Sequence, residues 1–288
     1  MKSLFYTVIA LLLAVSSVYA QKPEPAQALV KYHFTHIRDT TQREKPYKEN
    51  LELLLGRNAS AYISIDARLQ IERMNNEISQ QFKNAPDPNH VDLTISGMRT
   101  VAENEYFLFT AERKMFVKQK LINFYLTEEP LPAFKWTITN DTTTINTLHC
   151  QKATAHFKGR DYEAWFCADL PFHSGPWKLN GLPGLIVQAT DSKKEVIFEF
   201  AGMEDVSQKN LTVALPNDVI RTTDKELVRL KDLQKTDPAA FSKMPSTKSS
   251  RSPMDNIDVS KIKSINITKS DNTFSRTINN PIELPEKK

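Results

Sequence analysis

The residues best suited to chemistry in this 288-residue chain are two cysteines, six histidines and a cluster of glycines. A cysteine nucleophile, Cys150 or Cys167, would need a histidine and an acid in contact with it. A serine nucleophile has no GxSxG segment to stand in, and His173-Ser174-Gly175 reads as a loop tripeptide. His149, His156 and His173, with Asp161 as an oxygen donor, are candidate metal ligands. Asp161 and Glu163, two apart on a strand, share one face and read as a solvated surface rather than an acid–base pair. Four of the seven glycines, Gly159, Gly175, Gly181 and Gly184, fall within 26 residues. A glycine loop that cradles phosphate leads into a helix; here the strand pattern Leu185-Ile186-Val187 follows instead. Leu182-Pro183-Gly184-Leu185 spells a type II turn, proline fixing φ and glycine taking positive φ.

The two cysteines are placed by a hairpin. His149 to Phe157 and Arg160 to Ala168 flank Lys158-Gly159, a two-residue turn signal. If Phe157 pairs with Arg160, paired positions sum to 317 and Cys150 stands opposite Cys167, in a non-hydrogen-bonded pair where Cα atoms come within about 4.5 Å. A disulfide is feasible there. The same register sends Ala153, Ala155, Phe157, Tyr162, Ala164 and Phe166 to the core, and puts His149 and His156 on opposite faces, which speaks against one shared metal site.

The elements around the hairpin read mainly as strands. Val30, Tyr32 and Phe34 alternate with polar residues, as do Leu51, Leu53 and Leu55; Gly56-Arg57-Asn58 turns the chain into Ala61, Ile63 and Ile65. Ile71, Met74, Ile78 and Phe82 share a helical face that ends before Pro86 and Pro88. A polar loop then leads to strands over 105–110, 114–120 and 122–127, and later ones begin at Leu185 and Val196. Thr223-Asp224-Lys225-Glu226 is a capping box that opens a helix through Leu227, Leu230 and Leu233, and Asp237-Pro238 starts a further helical turn. The polar stretch 243–258 reads as mobile, and 263–268 and 280–284 as the last strands. Strands joined to strands by short turns give a mainly β (α+β) fold: a curled antiparallel sheet or partly open barrel with one or two packed helices.

Residues 1–20, MKSLFYTVIALLLAVSSVYA, carry a lysine, an apolar run too short to span a bilayer, and small residues before the expected cut after Ala20. They read as a signal peptide, with 21–288 as a single domain that has no transmembrane span. Export favours an oxidised cysteine pair. With 38 Lys plus Arg against 34 Asp plus Glu and no basic run, the chain is not expected to bind nucleic acid.

GLPGLI at 181–186 resembles the signature of the GLPGLI family, exported proteins found mainly in Bacteroidota. Cys150-Gln151-Lys152-Ala153, the run GRDYEAWF at 159–166, Gly175-Pro176 and NPIEL at 280–284 extend the likeness. It implies a signal peptide and a β-rich envelope protein in the periplasm, or else secreted or outer-membrane associated, and brings no activity or cofactor with it. Small Ala side chains alternating with Phe and Tyr on the inner face of the hairpin leave room beside aromatic walls, so the leading expectation is non-catalytic binding of an apolar ligand, no cofactor being expected. Pro176 and Trp177 are candidate ligand-loop residues, Trp177 acting either as a rim or lid or as a plug that seals the sheet. The alternatives are an accessory of an outer-membrane assembly that binds a protein partner, and a metal-binding protein. An internal cavity would favour the apolar ligand, and an exposed apolar patch the partner.

Overall fold

The computed structural model describes residues 21–102, 104–245, 258–269 and 277–286; the expected signal peptide and most of the stretch 243–258 lie outside the described residues. The strands are β1 (Glu24–Pro25), β2 (Ala28–His36), β3 (Tyr47–Leu55), β4 (Ala59–Ser64), β5 (Val91–Met98), β6 (Glu105–Phe109), β7 (Lys114–Lys120) and β8 (Phe124–Pro130). They continue as β9 (Thr137–Ile145), β10 (Leu148–Phe157), β11 (Arg160–Cys167), β12 (Leu185–Asp191), β13 (Val196–Asp205), β14 (Thr212–Val213), β15 (Ile220–Thr222) and β16 (Ile262–Lys269). Helices α1 (Ile65–Asn84), α2 (Asp224–Thr236) and α3 (Pro238–Ser242) complete the chain.

Twelve strands form one sheet in the order β15-β8-β7-β6-β4-β3-β2-β13-β12-β11-β10-β9. Neighbours run antiparallel except at the β15–β8 edge, which is parallel. The sheet is mostly β-hairpins laid side by side, and it does not close: β15 and β9 stand at its two ends. The period-2 pattern explains its buried face. Val30, Tyr32 and Phe34 of β2 and Leu51, Leu53 and Leu55 of β3 are all in the main core, beside Phe166, Ile186 and Phe198 from the other half of the chain.

The hairpin register agrees with the arithmetic. Phe157 pairs with Arg160 and Gln151 with Phe166. Lys158 and Gly159 both take positive φ, 48° and 68°, as a two-residue turn that follows strand twist requires. Cys150 and Cys167 form the disulfide with Cα atoms 4.4 Å apart, a bridge that stabilises a loop of this size by about 3 kcal/mol.

Three elements differ from the sequence reading. Ile65 does not extend β4: Ser64 accepts a hydrogen bond from the Ala67 amide and caps α1 at once. Residues 91–98, read as polar loop, are β5, whose Val91, Leu93 and Ile95 are buried under α1. Residues 280–284 are an irregular strap rather than a strand, because their backbone and side-chain bonds go to several different elements.

Helix α1 lies on the two-stranded ribbon β5–β16, which is parallel and separate from the main sheet. On so narrow a support only Ile78 of the helix is fully buried. Two helix glutamines bind the strand's free backbone groups. Gln81 donates to Thr94 O and accepts from Thr94 N, both at 2.7 Å, and Gln70 does the same with Arg99 at 3.2 and 2.8 Å. These amides satisfy groups that would otherwise attract another strand.

Candidate functional site

The motif segments singled out in the sequence converge on one place. The hairpin and the strap 277–286 meet at Arg160, whose side chain is 1% exposed, and Lys178 of the loop 171–184 reaches the strap at Glu283. Arg160 Nε donates to Ile282 O (2.9 Å), Nη1 to Asp191 Oδ2 (2.6 Å) and Glu195 Oε2 (3.4 Å), and Nη2 to Asn280 Oδ1 (2.7 Å) and Pro281 O (2.8 Å). A guanidinium has five N–H groups, and all five are used here. No donor is left for a substrate oxygen, so the geometry makes Arg160 a clamp on the strap.

The acceptors are equally committed. Asp191 Oδ1 receives the Glu195 and Val196 amides, and Glu195 Oε1 receives Arg43. Asn280 Nδ2 donates to Ile37 O (2.7 Å) and Glu195 Oε2 (3.0 Å). Burial disfavours the Glu195 charge, but Arg43, Asn280 and Arg160 outweigh it and hold its carboxyl below the usual range. Further along the strap Glu283 pairs with Lys178 at 2.7 Å, and Glu286 with His156 at 2.8 Å. Burial pulls the Lys178 ammonium down, yet Glu283 and Glu129 keep it above its ordinary value.

His36, 4% exposed, donates from Nε2 to Asn280 O at 2.9 Å. Burial, then the nearby Arg38 charge, lowers its pKa to about 4. The unfolded chain takes up this proton near pH 6.5 while the folded chain resists it, so the contribution is lost as pH falls from about 6.5 to about 4. That loss amounts to about 2–3 kcal/mol. His156 acts with the opposite sign, since Asp161 and Glu286 raise its pKa and its contribution fades as pH rises through that higher value. Urea unfolding at pH 7.5 and 4.5 is expected to show the wild type losing about 2 kcal/mol more than His36→Gln. Equal losses would remove His36 from the pH response.

The loop packs on the buried face of the sheet, with Phe172, Trp177, Leu179 and Leu182 in the main core. Pro176 and Trp177 are buried, and Trp177 packs with Phe157, Tyr162 and Phe198. Trp177 is thus a plug, not a rim residue. Ser174 Oγ meets Ser60 Oγ of β4 at 2.9 Å, and Trp136 Nε1 donates to Asn180 O at 2.8 Å. At the end of the loop Gly184 (φ +153°) donates to Leu182 O, and the Leu185 amide goes to Leu170 O. The hydrogen bond closing a type II turn is therefore absent from Gly181-Leu182-Pro183-Gly184-Leu185. Close approach governs this glycine instead, since a Cβ on Gly184 would lie 2.2 Å from Cys167 O.

The histidines proposed as metal ligands are dispersed. His156 pairs with Asp161 and Glu286, His173 Nδ1 donates to Leu182 O, and His149 lines an open cleft of about 520 Å³ with Thr142, Thr144 and Asp169. Among the described residues no three ligating side chains converge. No described helix is long and apolar enough to cross a membrane.

The site's residues were only partly evident beforehand. Arg160 and Asn280 stood inside quoted motifs without a role, while Asp191 and Glu195 were missed. Asp191-Ser192-Lys193-Lys194 looks like any turn, and only the fold shows that the carboxylate points inward.

No protein-family model matches the chain, and no curated protein matches it. Two crystal structures of PNGF-II are similar at a TM-score of 0.48 each, with 11% and 14% sequence identity, over 73% of this chain and 33% of theirs. The chain thus spans about a third of the length of those structures.

Proposed function

We propose that this is an exported, non-catalytic protein of the cell envelope, of the GLPGLI type, that works by binding another protein. The observation that carries this reading is the outer edge of β16. Among the described residues β16 pairs only with β5, and it is exposed over 263–269. Ile265 and Ile267 stand opposite the buried Leu93 and Ile95 and carry that apolar row beyond the cover of α1, at 47% and 54% exposure. A strand with an open outer edge and exposed isoleucines is a template for an added strand. Lys269 at its end favours an acidic, apolar segment from the partner, Lys263 being paired with Asp92 at 3.4 Å.

Photo-cross-linking in intact cells tests this. A benzophenone side chain at Asn266 is expected to give one discrete protein adduct, while the same group at Val228, exposed on α2, gives none. Equal labelling at both positions, or none at Asn266, would remove the edge as a docking site.

A second reading, an apolar ligand bound at the loop 171–184, is supported by buried polar atoms in the core around it that have no partner in hydrogen-bonding geometry. Pockets for small molecules are apolar with a few polar groups of this kind.

A further inference from the structure

Three polar atoms in the core that packs around the loop have incomplete hydrogen bonding. The Tyr62 hydroxyl, the Tyr162 hydroxyl and Trp177 Nε1 are buried without a partner in hydrogen-bonding geometry, although the Tyr106 hydroxyl lies against the indole. All three residues are at least 97% buried. Each unmet group costs about 1–3 kcal/mol in such a place, so a fold that needed only an apolar core would be better served by phenylalanine at both tyrosines.

The groups lie along one chain of contacts. Tyr62 pairs across strands with Tyr106, Tyr106 lies against Trp177, and Trp177 lies 6.4 Å from Tyr162 between ring centres. Trp177 is stacked on Phe198 at 6.5 Å and 14°, and it meets Phe157 edge-on at 5.9 Å. The indole is therefore a flat ring in an aromatic slot, with the Tyr162 ring beside it and the Tyr106 hydroxyl against it. Its backbone stands at φ +57°, in the left-handed region that costs a non-glycine residue about 1 kcal/mol or more. The loop is pinned on both flanks, at Ser174 and Asn180, with Trp177 between the pins.

We propose that the aromatic slot filled by Trp177 is a latent binding site for a small amphipathic molecule with a flat aromatic body and hydrogen-bonding oxygens, and that Trp177 occupies that molecule's place in the free protein. The proposal rests on the second reading above. Exchanging ring for ring keeps the apolar burial, gives Tyr62 and Tyr162 partners, and lets the Trp177 backbone relax to negative φ. Internal water is the rival occupant: it would satisfy the hydroxyls without moving the loop.

The probe is 6-propionyl-2-dimethylaminonaphthalene, a flat fluorescent ketone. The native protein is expected to bind it saturably at one site with a blue shift in emission. Because Ser60 and Ser174 already touch, the double variant Ser60→Cys/Ser174→Cys, once oxidised, should staple the loop to β4 and weaken binding about tenfold or more. Reductant should restore binding to the double variant, with wild type under the same reductant as control for the native disulfide. Tyr62→Phe and Tyr162→Phe should each fold and bind about fivefold more weakly. Binding that survives both the staple and the tyrosine changes would keep the apolar-ligand reading but move it elsewhere, overturning this site. No saturable binding to the native protein would overturn both.

Discussion

Arg160→Ala is expected to destabilise the protein by about 3–5 kcal/mol, the range for removing one partner of a buried ion pair. The loss has several parts. Asp191 would be left buried without its cation, Glu195 would keep Arg43 and the Asn280 amide, and the carbonyls of Pro281 and Ile282 would lose their donor. The strap would also lose the group that binds it at three successive residues, 280 to 282. Arg160→Lys keeps the charge but has three donors on one atom, which cannot reach five acceptors spread around a plane. It should fall between wild type and alanine, at about 2–3 kcal/mol. Urea unfolding with a constant slope measures both. A cost below about 1 kcal/mol for Arg160→Ala would mean that the clamp does not hold the strap, and that the arginine is kept for another purpose.

Gly184→Val should cost about as much, for a different reason. A Cβ would meet Cys167 O at 2.2 Å and Ala168 Cα at 2.9 Å, both backbone atoms that cannot move aside without opening the end of β11. Positive φ adds to the strain of a β-branched residue. Overpacking and backbone strain together are expected to cost about 4 kcal/mol, lowering Tm by about 10 °C for a chain of this size. Gly181 is the internal control. It also has positive φ, +89°, but a Cβ there meets nothing within 4 Å, so Gly181→Ala should cost only about 1 kcal/mol. Equal effects at the two positions would contradict close packing as the reason for glycine at 184.

What the sequence revealed follows from how local each signal was. The Cys150–Cys167 pairing needed only a turn and a count, because a two-residue hairpin fixes its own register. The cap on α2, Thr223 Oγ1 accepting from the Glu226 amide, was equally local. β5 was passed over because Asp92, Thr94 and Ser96 made 91–98 look polar, although Val91, Leu93 and Ile95 alternate with them. The strap reads as a strand because Ile282 and Leu284 stand at strand spacing, while its bonds to Ile37, Arg38, Lys158 and Arg160 come from distant parts of the chain. Trp177 could be recognised as a loop residue, but whether it faced solvent or the core depended on how the sheet curls, which no short segment encodes.

The role proposed for the outer edge of β16 has a direct test in hydrogen exchange. Amides 262–269 would be followed in the purified protein and in the protein held in its native envelope fraction. A partner strand on that edge is expected to slow the outward-facing amides about tenfold or more, while exposed positions on α2 stay unchanged. Identical exchange of β16 in both preparations would contradict a docked strand and, with it, the protein-binding function proposed for this chain.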